Sequence, residues 1–92
     1  MLVSRQNFTK REEMEVKMMR EWLKDLRTER GLTMKQLGEK LGISESYYCA
    51  IENGVRQKKM DVMLIFALSV ALDVSMSDIV QLESEYLGAL AS

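Results

Sequence analysis

Ninety-two residues, 47 % of them apolar, can enclose one hydrophobic core but not two, so a single domain is expected. Proline is absent, glycine is sparse, and Leu, Met, Glu, Lys and Arg dominate, a composition that favours helices over strands and points to an all-α fold. One cysteine and no histidine exclude an internal disulfide and the usual metal-ligand sets, and a net charge of −1 excludes a uniformly basic polyanion binder.

Residues 1–18 read as a partly helical N-terminal extension; they turn polar too early for a signal peptide. Thr9 followed three residues later by Glu12 has capping-box spacing and starts a helix at Lys10. Met14, Met18, Met19, Trp22, Leu23 and Leu26 then recur at three- and four-residue steps until near Gly31. Periodicity leaves open whether this is one helix or two joined near Met18.

Thr33 offers the next N-cap, Leu37 and Leu41 share a face, and Gly42 ends a helix of about two turns. Only Ile43 separates Gly42 from Ser44, which caps a helix with Tyr47, Tyr48 and Ile51 on its apolar side and a stop at Asn53 and Gly54. Helices joined so tightly cross at a steep angle. Gly38 removes a side chain where the second helix of the pair approaches, and Gly42 permits the left-handed backbone of the turn. Beyond a basic loop at residues 55–59, Asp61 caps a helix to Leu72, and Ser75 caps another through Ile79, Leu82 and Tyr86 and as far as Leu90. Residues 19–85 are expected to form the domain, with 86–92 a C-terminal tail that frays from Gly88. The longest apolar run, residues 62–72, is too short to cross a bilayer.

Residues 33–54, with Leu37, Gly38, Leu41, Gly42, Ile43 and Ile51 at these spacings, resemble the helix-turn-helix of phage-repressor and Cro-type DNA-binding proteins. Flanking residues 26–33 and 71–75 match as well, extending the resemblance over about residues 19–80. It implies a five-helix repressor-like domain in which Arg27 and Glu52 pair to hold the third helix, and Glu45, Ser46 and Ala50 face base edges. It also implies backbone contacts from Thr33, Lys35, Ser44 and Tyr47, with Arg56, Lys58 and Lys59 of the loop against phosphates.

The chain departs from the family at Met34, where glutamine is frequent, and at Glu45 and Ala50, where basic or amide residues are frequent. Glu45 can accept from cytosine N4 but repels phosphate, and Ala50 offers only apolar contact, so readout is expected to be weak or narrow. A bland role for Glu45, favouring the helix dipole, remains open. The charge distribution agrees with a polyanion-facing front: residues 1–60 hold all thirteen basic residues against nine acids, whereas residues 61–92 hold five acids and no base.

The helix that follows the loop is apolar on nearly every side. Leu64, Ala67 and Val70 form a stripe beside Val62, Ile65, Phe66, Ser69 and Leu72, which is more apolar surface than one small domain covers. The extension with Met14 and Met18, a second protomer, or a deeper core are the available covers. Cys49 has no partner to activate it and reads as a packing residue. Without histidine, a glycine-rich phosphate loop or a carboxylate pair placed by a motif, no catalysis, metal or other cofactor is expected. The expectation is a cytoplasmic, sequence-specific transcriptional regulator, a repressor, that binds double-stranded DNA as a homodimer. The alternative is an antitoxin-like or anti-repressor interaction module on the same scaffold.

Overall fold

The computed structural model describes residues 18–91, in which five helices and no strand occur. They are α1 (Glu21–Glu29), α2 (Met34–Leu41), α3 (Glu45–Glu52), α4 (Val62–Leu72) and α5 (Met76–Ala91). The helix start expected at Lys10 and its Thr9 cap lie outside the described residues.

The apolar period runs unbroken through Met18 and Met19, yet the helix does not. Arg20 leaves helical geometry at φ −83°, ψ 81°, and its amide donates to the Glu52 carbonyl at 2.7 Å. A tertiary partner has replaced an intrahelical one, and α1 begins afresh at Glu21.

Four helix starts are set by local chemistry. Thr33 Oγ1 accepts from the Gln36 amide at 3.0 Å while Gln36 Oε1 accepts from the Thr33 amide at 2.9 Å, a complete capping box. Ser44 Oγ takes the Tyr47 amide, Asp61 Oδ1 the Leu64 amide, and Ser75 Oγ the Asp78 amide. Each such cap contributes about 1 kcal/mol. Between α2 and α3, Gly42 adopts φ +74°, and the Ile43 amide closes on the Gly38 carbonyl at 2.9 Å. A Cβ on Gly38 would stand 3.1 Å from the Ile43 carbonyl oxygen, so a side chain there would have to push the turn's backbone aside by a few tenths of an ångström.

Leu23, Leu37, Tyr48, Ile51, Ile65, Leu68, Leu72 and Ile79 form one buried cluster drawn from all five helices. Each such side chain contributes about 1.5–3 kcal/mol relative to exposure, so the core outweighs any single cap. The axis turns through 119° between α4 and α5. α5 continues past Tyr86 to Ala91, with Leu87 and Leu90 half-buried and Gly88 exposed. No single helix among the described residues is long and apolar enough to cross a membrane.

The stripe expected on α4 is split. Ile65, Leu68 and Leu72 are buried, and Leu64 also turns inward against the core. Val70 is 66 % exposed, and its outward neighbours are Met63 and Phe66, with Ala67 half-buried between the two faces. A three-residue step falls short of a full turn by about 60°, so two steps carry Val70 about 120° away from Leu64. The exposed apolar face is therefore Met63, Phe66 and Val70, related by steps of three and four.

Candidate nucleic-acid interface

α3 is held by one face and free on the other. Tyr48, Ile51 and Glu52 are at most 1 % exposed, whereas Glu45, Ser46 and Tyr47 are exposed and Cys49 and Ala50 half-buried. The grip is polar as well as apolar. Arg27 Nε and Nη2 donate to the two Glu52 carboxylate oxygens at 2.9 and 3.1 Å, and Arg27 Nη1 donates to the Leu32 carbonyl at 2.9 Å. The Tyr48 hydroxyl donates to Glu52 Oε2 at 2.6 Å. This bidentate geometry fixes the rotation of α3 about its axis more tightly than apolar packing alone. Its hydrogen bond to Glu52 raises the Arg27 pKa, and burial, reinforced by the bond to Glu52, pushes the Tyr48 hydroxyl far above the ordinary phenol range.

Most of the other residues singled out from the sequence sit at the starts of α2 and α3 and in the loop that leaves α3. Thr33 and Lys35 are exposed at the start of α2, and Ser44 at the start of α3. Both cap hydroxyls accept from backbone amides, and a hydroxyl that accepts retains its own O–H to donate. Arg56, Lys58 and Lys59 are exposed in the loop that leaves α3. The Val55 and Arg56 amides both return to the Ala50 carbonyl, at 2.9 and 3.1 Å, so the loop folds back onto α3.

Three residues that organise the site escaped sequence reasoning. Gln57, at φ +54°, donates from Nε2 to the Tyr47 hydroxyl at 3.3 Å and accepts the Asp61 amide on Oε1 at 3.1 Å, tying the loop to both neighbouring helices. Arg20 and Glu83 form a second buried ion pair beneath the loop. Their separation of 63 positions leaves no local signal. Cys49 is a free thiol whose sulfur accepts from Asn53 Nδ2 at 3.4 Å, a packing arrangement. Among the described residues no cluster of His, Cys, Asp and Glu could hold a metal ion.

Residues 23–79 match a family model described as helix-turn-helix. The chain is 42 % identical over 45 residues to an uncharacterized HTH-type transcriptional regulator, YqaF, of Bacillus subtilis (strain 168), covering 49 % of this chain and 59 % of the relative. It is 33 % identical over 72 residues to the HTH-type transcriptional regulator SinR of the same organism, covering 76 % of this chain and 64 % of the relative. The chain thus spans about three-fifths of the length of these curated relatives. No solved structure matches significantly.

Proposed function

The chain belongs to the helix-turn-helix family, and from that premise we propose that it is a cytoplasmic, sequence-specific DNA-binding transcriptional regulator, a repressor, with α3 as the helix that enters the major groove. One observation carries the reading: α3 is locked through its inner face by Tyr48, Ile51 and the Arg27–Glu52 pair, while its first turn stays exposed and the loop that folds back onto it carries three exposed cations. A rigid helix with a free first turn next to a basic loop suits base readout with phosphate anchoring.

In this reading Ser46 bonds a base edge, Glu45 accepts from cytosine N4, and half-buried Ala50 meets a thymine methyl. Thr33, Lys35, Ser44 and Tyr47 hold the backbone on one side, and Arg56, Lys58 and Lys59 hold it on the other. Neither a cofactor nor a catalytic step takes part. Two protomers joined through the outward face of α4, Met63, Phe66 and Val70, set two recognition helices about 34 Å apart on a near-palindromic site. Pairing half-sites also offsets the low net charge of each protomer.

A second reading, a protein-interaction module on the same scaffold, draws on exposed Glu45 at a reader position and on the excess of acids after residue 60. Binding to random duplex DNA at graded salt, followed by selection of bound sequences, separates the two. A regulator shows steep salt dependence and an enriched sequence, and reversal of Lys58 and Lys59 to Glu weakens all duplexes alike and flattens the salt slope. An interaction module shows neither retention nor enrichment.

A further inference from the structure

Arg20 precedes α1 and yet is fully buried. Every nitrogen of its guanidinium is engaged. Nε and Nη2 donate to the two oxygens of Glu83 in α5 at 2.9 and 2.8 Å, and Nη1 donates to the carbonyls of Ile51 at 2.7 Å and Arg56 at 3.2 Å. Nη2 also meets the Gln57 carbonyl. The Tyr86 ring lies 5.1 Å from the guanidinium carbon, and Trp22 Nε1 donates to Glu83 Oε1 at 3.3 Å. One side chain thus spans the last turn of α3, the basic loop and α5.

A buried ion pair is seldom more stable than a well-packed apolar pair of similar volume, so stability alone is a poor reason for this one. Its distinguishing product is geometry. A planar fork collects three carbonyls from two successive segments, and the third belongs to Gln57, whose side chain reaches Tyr47 on the outer face of α3.

We propose that Arg20 and Glu83 are positioning residues for the nucleic-acid backbone: the pair holds the 55–59 loop in register with α3, so that α5 governs phosphate contact from behind the interface. The proposal rests on the DNA-binding reading above for its effect on affinity, and on the free protein for its effect on the loop.

The test uses the full chain carrying Arg20→Met together with Glu83→Met, which removes the fork without leaving an unpaired buried charge. Its melting temperature should stay near that of wild type, while the Val55, Arg56 and Asp61 amides exchange with solvent about tenfold faster and those of Leu68 and Leu72 do not change. Affinity for any duplex should fall about tenfold, with a salt slope shallower by about one. In a Lys58→Ala, Lys59→Ala background the same double replacement should cost much less affinity, since the contacts it misplaces are already gone; a general loss of stability would not discriminate between the backgrounds. If the double variant does not fold, Arg20→Lys, which keeps the charge and loses the fork, is judged by the same exchange and affinity readouts. Unchanged loop exchange, or an affinity loss equal in both backgrounds, overturns the proposal. Failure of wild type to bind any duplex overturns the DNA reading and the affinity effect with it, and the exchange measurement alone then decides whether the tether exists.

Discussion

Replacing Glu52 by glutamine keeps its shape and removes its charge at a site where it is 1 % exposed and receives three donors, Arg27 Nε, Arg27 Nη2 and the Tyr48 hydroxyl. The amide has two orientations. With its nitrogen in the place of Oε2, Tyr48 can reverse and accept, but the new N–H₂ faces Arg27 Nε, donor against donor. With its nitrogen in the place of Oε1, it faces Arg27 Nη2. Either way one guanidinium N–H is left without an acceptor beside a side chain only 9 % exposed.

Removing one partner's charge from a buried pair costs about 3–5 kcal/mol, and because the amide keeps part of the hydrogen bonding, the lower end, about 3 kcal/mol, applies. At about 4–8 °C per kcal/mol for a domain of this size, the melting temperature should fall by about 12–24 °C. Urea unfolding should show a lower midpoint at an unchanged slope. The triple replacement Arg27→Met, Glu52→Leu and Tyr48→Phe leaves neither a buried charge nor the orphaned Tyr48 hydroxyl and should lose far less stability, yet it should bind DNA poorly because α3 is no longer fixed in rotation. A loss below about 1 kcal/mol for Glu52→Gln would refute the reasoning, since the pair would then be behaving like a screened surface pair.

Gly42 and Gly54 both adopt positive φ, but only at Gly54 would a Cβ strike neighbours, the Met18 carbonyl and the Tyr86 hydroxyl. Gly42→Ala should therefore lose about 1–2 kcal/mol and Gly54→Ala clearly more; equal losses in thermal melts would show that the close approach does not matter. Tyr48 and Tyr86 both have hydroxyl pKa values raised above the ordinary 10.0, chiefly by burial, so the fold favours their protonated forms. That contribution is fully present below pH 10.0 and is lost as pH rises towards the folded values, so melting temperature should drop above about pH 10, and less steeply in Tyr48→Phe. Phe66→Lys and Val70→Lys, at positions 52 % and 66 % exposed, should convert a dimer to a monomer by light scattering with no loss of monomer stability. Leu64→Lys should instead destabilise the fold, and a wild-type monomer at micromolar concentration would end the dimer proposal.

Interactions that act over three or four residues are legible in the order of the residues. The caps at Thr33, Ser44, Asp61 and Ser75 bind amides three positions ahead, and Gly42 bends its own backbone, so spacing and residue type suffice to place these ends. The tight turn between α2 and α3 followed from Gly42 and the single residue between it and Ser44. Arg27 and Glu52 were joined only through the resemblance of the whole motif to a family, because 25 positions separate them. Other features depend on contacts between segments far apart in the chain. α4 is apolar all round, so its periodicity carried no contrast from which to choose the buried face, and packing against α2 and α5 turned Leu64 inward and left Met63, Phe66 and Val70 outside. The break at Arg20 lies within an uninterrupted apolar period. It exists because the guanidinium and amide of Arg20 find better partners on α3, the basic loop and α5 than a continuing helix offers, and those partners meet only once the chain has closed on itself.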